Sequence, residues 1–316
     1  MIATTENMGA KSSKGEALAT DLAALLADDT LIRAHEPLAR RTTLRVGGAA
    51  DVYVEPASDA ELAAVLGFCL ERGEKYFILG RGSNLLVRDG GFRGVVICLA
   101  HADFSRIEIA GDRLTCGAGA RLKQIALEAK RAGLSGLEFV EGIPGSVGGA
   151  LRMNAGAMGG ATFEAVESLR FMNHRGWIFE KPGREIPVEY RACPLLKDHI
   201  ALAAVFRCAF APREEIEKRM QAFSQKRWSS QAAAPSAGCV FKNPKSVGAG
   251  RLIEELGLKG LRVGGAVVSP EHGNFFVNEG EATARDFLTL IELVKQRAQS
   301  QRGIELHTEV EIIGED

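Results

Sequence analysis

Residues 133–160, GLSGLEFVEGIPGSVGGALRMNAGAMGG, are about one-third glycine, against roughly 7% in an average protein. Glycine fixed in a regular helix or strand wastes backbone entropy, so such a run suits a loop whose backbone passes close to something else. Bare N–H groups along it form a donor-rich concave surface for a pyrophosphate, while Leu137, Phe139, Ile143 and Leu151 anchor it in a core. The chemistry this predicts is a dinucleotide or flavin cradle, and the plainer reading is a tightly turned crossover with no ligand. Residues 117–122, GAGARL, open like G-x-G before a helix but lack the third glycine of a Rossmann fingerprint. No G-x-x-x-x-G-K-[ST] occurs, which disfavours a nucleoside triphosphatase. Cysteines at 69, 98, 116, 193, 208 and 239 include no C-x-x-C pair, and the six histidines show no ligand spacing. Neither a metal site nor a disulfide framework is expected.

The chain has 316 residues, 46% hydrophobic and 25% charged, the balance of a soluble globular protein with two or three domains. A net charge of −1 leaves no electrostatic footprint for nucleic acid or an anionic membrane. No apolar run approaches the ~20 residues needed to span a bilayer. The first residues lack a basic segment followed by an apolar one and read as a polar tail, mobile to about Lys14. A cytoplasmic protein is expected.

The elements that must position such loops follow from local signals. Residues 16–27 suggest a short amphipathic helix, and 41–56 read as extended chain bent at Gly47 and Gly48. Ser58 and Glu61 form a capping-box pattern ahead of an apolar face of Leu62, Val65, Leu66, Cys69 and Leu70, stopped by Gly73. A buried strand at 76–79 runs straight into the glycine loop 80–84, and LLV and VVICL follow about the turn Asp89-Gly90-Gly91. A strand at 113–116 leads into a helix ending near Arg131, and strands are expected near 166–180 and 200–210. Pro212 opens a charged helix and marks a composition change, so a domain boundary is placed near 212. A helix near 249–256 follows. Thr283 and Asp286 cap a long helix with Phe287, Leu290, Ile291 and Val294 on its apolar face, ending at Gly303. The last strand, 308–313, alternates.

Four ordered stretches carry a more specific pattern: LGRGSNLLVRDGGFRGVVI (79–97), GLEFVEGIPGSVGGALRMNAGA (136–157), PSAGCVFKNP (235–244), and GGAVVSPEHGNFFVN with the segments after it (264–314). Together they closely resemble the bacterial UDP-N-acetylenolpyruvoylglucosamine reductases, flavoenzymes of peptidoglycan precursor synthesis, and their shorter second subclass in particular. The resemblance covers residues 31–314. It implies an α+β fold with a vanillyl-alcohol-oxidase/PCMH-like FAD-binding part of two α+β subdomains, plus a smaller α/β substrate-binding domain. The implied boundaries are 1–24 for the polar tail and helix start, 25–211 for the FAD-binding part (about 25–80 and 81–211), 212–303 for the substrate domain, and 304–316 for a terminal strand returning to the first subdomain. NADPH is the implied hydride donor to FAD. Reduced flavin then delivers hydride to the enolpyruvyl ether of a UDP sugar, giving UDP-N-acetylmuramate. A monomer acting on small molecules, with no nucleic acid or membrane partner, is expected.

That second half-reaction makes physical demands. Hydride adds to the terminal vinyl carbon and negative charge builds on the adjacent carboxylate, where stabilisation of developing charge is usually the largest catalytic term. By resemblance Arg191 is the catalytic arginine, and its planar, permanently charged fork suits a carboxylate gaining charge; otherwise it is a surface loop arginine. Glu309 matches the catalytic glutamate. A carboxylate against an enolate repels it unless protonated or neutralised, so a raised pKa or close pairing with Arg191 is expected. Period-two alternation puts Glu311 on the same face as Glu309 and cannot choose between them; the resemblance chooses Glu309. Cys239 stands where the family usually has serine as proton donor. A free thiol ionises at about pH 8.5, so it is mostly protonated at neutral pH and a stronger acid than a hydroxyl, and proton donation survives the exchange; the plain alternative is a small buried cysteine. FAD contacts are implied for Gly80, Gly82, Ser83 and Asn84, for Gly142, Ile143, Pro144, Gly145, Gly148 and Gly149, and for Asn154, Ala155 and Gly156. Substrate contacts are implied for Tyr190, Arg227, Lys242 and Asn243. Two other readings compete: an FAD-dependent oxidoreductase of the same cofactor fold acting on a hydroxy acid or sugar lactone, and a catalytically retired flavin- or nucleotide-sugar-binding module.

Overall fold

The computed structural model describes residues 6–228 and 234–316. By contact these form two units, one from the N-terminal residues to His35 with Asp51–Arg81 and Gly94–Lys226, the other from Glu36–Ala50, Gly82–Arg93 and Arg227–Asp316. The division after residue 226 lies beyond the boundary placed near 212, because the charged helix Arg213–Trp228 belongs largely to the first unit. There Arg219 pairs with Glu138 at 3.0 Å and Lys130 with Glu217 at 3.1 Å.

The first unit contains two larger sheets beside two-stranded pairs. One has strand order Leu31–Ala34, Ala50–Glu55, Phe92–Cys98, Tyr76–Leu79, with the last pair parallel. The other is a five-stranded antiparallel sheet ordered Ile178–Pro182, Val166–Asn173, His199–Arg207, Arg113–Gly117, Ile107–Ala110. One apolar cluster runs from Val52, Val65 and Leu66 through Leu114 and Ile125 to Leu169 and Phe206. The helix Asp59–Arg72 starts at Ser58, whose hydroxyl accepts the Glu61 N–H, and ends at Gly73 with φ of 65°. Its apolar face takes Phe68 in place of the expected Leu70, which is exposed.

The capping-box expectation needs correcting. The Glu61 carboxylate bypasses the Ser58 N–H and accepts from Ala57 N at 2.7 Å, Ala27 N at 3.0 Å and the Thr30 hydroxyl at 2.9 Å. Burial pushes its pKa up, but these donors outweigh burial and hold it below its ordinary value. A carboxyl with a depressed folded pKa contributes stability that is present above its unfolded value, about 4.3, and is lost as the pH falls through the folded value. Glu61→Gln is therefore expected to lose about 1–2 kcal/mol at pH 7, with the gap to the parent closing in acid. Urea unfolding at pH 7 and near pH 3 checks this, and a gap independent of pH would rule out the charge as its source.

The N-terminus also differs from expectation. The helix spans Glu6–Ala23 instead of 16–27, so most of the expected polar tail is helical, and residues 1–5 lie outside the described residues. Leu18 and Leu22 are buried, and Lys14 pairs with Glu74 at 2.9 Å. Tertiary anchoring lets the helix propagate backwards, since adding a turn to an existing helix is far easier than nucleating one.

The second unit is built on a four-stranded antiparallel sheet ordered Ser236–Cys239, Phe275–Asn278, Ala266–Val268, Arg262–Val263. The helix Ala284–Arg302 buries Phe287, Leu290, Ile291 and Val294 as its 3.6-residue pattern dictates. Thr283 and Asp286 cap it reciprocally, and Gly303 ends it with φ of 64°. Asp89 adds a cap from afar, its carboxylate accepting the N–H of Ala284 at 2.8 Å and Arg285 at 2.9 Å. The final strand is shorter than expected. Only Glu311–Ile313 pairs, in parallel, with Leu85–Val87, while Thr308 bridges Phe241.

Candidate active site

In the first unit the two glycine loops meet. A Cβ built at Gly80 would lie 3.0 Å from Ser146 Oγ, one at Gly149 would lie 3.7 Å from the same oxygen, and one at Gly148 would lie 3.1 Å from Ala118 Cβ. Ser146 is buried, caps the short helix Val147–Arg152 and accepts from Gly149 N at 3.4 Å. The loop is zipped onto residues 118–122: Leu122 N donates to Gly145 O, Val147 N to Ala120 O and Gly148 N to Ala118 O, at 2.8–3.1 Å. Upstream, Gly142 is half-buried, Ile143 packs partly on the core with its N–H on Val140 O, and Pro144 is exposed. The G-x-G at 117–119 has a different reason. A Cβ at Gly117 would lie 2.1 Å from Phe104 O, and at Gly119 1.8 Å from Leu99 O, so these glycines serve close backbone approach.

Arg191 belongs to the same unit. Glu189 and Ala192 close a tight turn through reciprocal backbone bonds of 2.9 and 3.2 Å, with Tyr190 and Arg191 at its tip. Arg191 has φ of 60°, a left-handed conformation that disfavours any side chain with a Cβ. Its Nη1 donates to Gly156 O at 3.2 Å, and its guanidinium lies 5.2 Å from the exposed Tyr190 ring. Asn154, also left-handed at φ of 38°, donates from Nδ2 to Glu189 O at 3.3 Å and accepts from Phe163 N at 3.2 Å. Ala155 O takes both the N–H and the hydroxyl of Thr162. The structure thus gathers Arg191, Tyr190, Asn154, Ala155 and Gly156 into one cluster.

A second cluster forms within the other unit. Gly82 has φ of 61° and a Cβ there would lie 2.3 Å from Arg41 O. Its carbonyl accepts Thr43 N, and Thr43 Oγ1 donates to Ser236 O at 2.6 Å, joining residues 193 apart in sequence. Ser83 is half-buried beside it. Asn84 Nδ2 donates to Glu309 O at 3.0 Å, and Asn84 O accepts Glu311 N at 3.1 Å. Cys239 ends the strand Ser236–Cys239 and is half-buried, whereas Cys69, Cys98, Cys116, Cys193 and Cys208 are buried. Glu309 N and Val310 N both donate to Val240 O, at 2.8 and 3.4 Å. Two residues against one is a bulge, which re-aims side chains. The alternation that made Glu309 and Glu311 equivalent therefore breaks between them, and the Glu309 backbone is bonded to the residue that follows Cys239.

The softer substrate residues are more dispersed. Lys242 is half-buried with its N–H on His307 O at 2.9 Å. Asn243 Oδ1 accepts Ala249 N at 2.9 Å and so serves the start of the helix Ala249–Glu255. Arg227 lies in the last turn of Arg213–Trp228, half-buried. Sequence reasoning passed over Thr43 and the carboxylate of Asp89, whose partners lie 193 to 196 residues away. No group of three or more potential metal ligands occurs among the described residues, and none of their helices is long and apolar enough to cross a membrane.

These loops fit a flavin nucleotide. Glycine at 80 and 149 keeps open the space about Ser146 that a Cβ would narrow, and bare backbone there can approach a pyrophosphate closely. Comparison with known proteins agrees. Residues 50–180 match the family model described as FAD binding domain, and residues 230–313 match that described as UDP-N-acetylenolpyruvoylglucosamine reductase, C-terminal domain. The chain is 46% identical over 283 residues to the UDP-N-acetylenolpyruvoylglucosamine reductase of Geobacter metallireducens, covering 89% of this chain and 93% of that one. It is 44% identical to the enzyme of that name from Heliobacterium modesticaldum, covering 89% and 90%. Among solved structures, the UDP-N-acetylenolpyruvylglucosamine reductase of Thermus caldophilus superposes with a TM-score of 0.78 at 40% identity, over 90% of this chain and 98% of that one. The α+β fold is thus the FAD-binding type of the vanillyl-alcohol-oxidase/PCMH class, joined to the reductase's own C-terminal domain. This chain belongs to the UDP-N-acetylenolpyruvoylglucosamine reductase family.

Proposed function

We propose that this protein reduces UDP-N-acetylglucosamine enolpyruvate to UDP-N-acetylmuramate, a peptidoglycan precursor, with FAD as its bound cofactor and NADPH as hydride donor. Within the shared family, the observation that carries this reading is the bond from Glu309 N to Val240 O at 2.8 Å, which ties the Glu309 backbone to the residue that follows Cys239. When bound, FAD supplies the hydride that adds to the vinyl carbon. The Arg191 fork binds the substrate carboxylate and stabilises the charge that develops on it. Glu309, protonated or neutralised by a cation, sits against the same enolate without repelling it. The Cys239 thiol gives its proton to the carbon beside the carboxylate, a general-acid step worth typically 10²–10⁴-fold.

Flavin contacts are assigned to Gly80, Gly82, Ser83 and Asn84, to residues 142–149, and to Asn154, Ala155 and Gly156. Tyr190, Arg227, Lys242 and Asn243 are assigned to the UDP sugar, with the two lysine- and arginine-borne charges suited to a diphosphate. Residues 25–211 with most of the helix that follows them serve as the FAD-binding part, and the chain from there to 303 as the substrate domain, with the terminal strand following from 304. A cytoplasmic monomer is the state we assign. Six cysteines without a disulfide support a reducing compartment, and size-exclusion chromatography tests the monomer.

The deciding experiment is anaerobic. The flavin-loaded protein is reduced with one equivalent of NADPH, the enolpyruvyl substrate is added, and the flavin spectrum is followed. Rapid reoxidation with formation of UDP-N-acetylmuramate is the expected result. Flavin that reduces and stays reduced would point to another acceptor, as in a hydroxy-acid or sugar oxidoreductase. A protein that takes up no FAD would overturn the reading.

A further inference from the structure

The strand carrying Cys239 is irregular in a way that implicates a residue outside the motif's chemistry. Ser236 pairs with Val277 and Cys239 with Phe275, so three steps on one strand face two on the other. The extra residue is accommodated about Gly238, whose φ is 73° and whose Cβ direction is open. Beyond Cys239 the ladder is completed by Asn274. Its backbone O accepts Val240 N at 2.8 Å, its Oδ1 accepts Phe241 N at 2.9 Å, and its Nδ2 donates to Phe241 O at 2.8 Å. The side-chain amide acts as an extra peptide, because the chain at Gly273 is pressed against the helix Ala249–Glu255, where a Cβ would lie 2.5 Å from Gly250 O.

Asn274 is 2% exposed, Phe241 0% and Val240 4%, so every one of these polar groups is out of reach of water and must be paired within the protein. The one remaining polar group of the two residues, Val240 O, holds Glu309 N. A single residue thus saturates the segment that bears Cys239 at one end and receives Glu309 on its other edge. Asn274 is itself fixed, its N–H donating to His272 Nδ1 at 3.1 Å, with the His272 ring packed 4.8 Å from that of Phe275.

We propose that Asn274 is a positioning residue for the proton-transfer step: through residues 240 and 241 it sets the register of the Cys239 thiol against Glu309. The proposal rests on the reading of Cys239 as proton donor. It differs from a general role in stability because its effect is local to one strand and to one half-reaction. Asn274→Ala leaves a buried N–H and C=O of Phe241 unpaired. Asn274→Asp keeps the volume but sets a carboxylate against Phe241 O.

Cys239 is the half-exposed cysteine against five buried ones, so modification of the resting, flavin-loaded enzyme by the aromatic disulfide dithiodipyridine reports on it. Both variants are expected to raise that rate at least tenfold, to leave NADPH reduction of the flavin within about twofold of the parent, and to slow reoxidation by the enolpyruvyl substrate by about 10²-fold. If Asn274→Ala does not fold, Asn274→Asp carries the test, and amide exchange at Phe241 in the parent provides a second one: exchange as fast as in exposed loops overturns the proposal. An unchanged thiol rate also overturns it, as does equal loss of both half-reactions. If the thiol rate rises but the parent enzyme does not reduce the enolpyruvyl substrate, the proposed function falls and the positioning of the thiol stands.

Discussion

Arg191→Gly is expected to remain about as stable as the parent while losing about 10³-fold in reduction of the enolpyruvyl substrate. The stability side follows from opposing small effects. Arg191 occupies a left-handed conformation with φ of 60°, which costs about 1–2 kcal/mol for a residue with a Cβ, and glycine relieves that. Against it stand the bond from Nη1 to Gly156 O at 3.2 Å, worth about 1 kcal/mol, and the greater freedom of glycine in the unfolded chain, about 0.5–1 kcal/mol. The sum lies within about 1 kcal/mol of zero. In the proposed role activity has no such compensation, because removing a donor aimed at developing negative charge typically costs 10²–10³-fold, and the donor proposed here is a full cation. Arg191→Lys, which keeps the charge and loses the fork, is expected to fall between. Urea midpoints and single-turnover flavin reoxidation check both sides. A variant that loses stability and keeps its rate would make Arg191 a structural residue of the 189–192 turn.

Cys239→Ala is expected to leave reduction of the flavin by NADPH unchanged and to lower product formation by 10²–10⁴-fold, the range of a general acid. Cys239→Ser, which installs the residue that the resemblance implies for this position, is expected to recover product formation. The substitutions fall on the half-exposed cysteine at the end of the strand Ser236–Cys239, so neither leaves a cavity of the kind that destabilises a core. Thiol modification should silence the parent and spare Cys239→Ser. Stopped-flow measurement of the two half-reactions, with and without dithiodipyridine, reads all of this. Equal loss of both half-reactions in Cys239→Ala would sink its assignment as proton donor.

Local signals in the sequence were read correctly where the physics is local. Ser58 and Gly73 bound one helix and Thr283 and Gly303 another, because a cap satisfies N–H or C=O groups within a single turn of itself. The order of four motifs was enough to identify the family, since each combines glycines and polar residues at spacings that a helix or strand would not retain. The competing readings of Arg191 as a surface arginine and of residues 133–160 as an empty crossover were equally natural from composition, and no local argument separated them.

Other features depended on contacts between distant segments. Glu61 looked like half of a capping box, yet its carboxylate serves Ala57, Ala27 and Thr30. Glu309 and Glu311 were equivalent by alternation until the bulge at Val240 O separated them. The side-chain bonds of Asn274 and Thr43 were not legible, because each acts on a strand that only folding brings alongside, 33 and 193 residues away. Sequence alone therefore determined where the two capped helices begin and end, and the family. Only the tertiary structure decided that the Glu309 backbone bonds to the residue after Cys239 and that Asn274 pairs with Val240 and Phe241. Capping and periodicity are properties of neighbouring residues, whereas strand register and the pairing of buried polar groups are properties of segments that meet only after the chain has closed long loops.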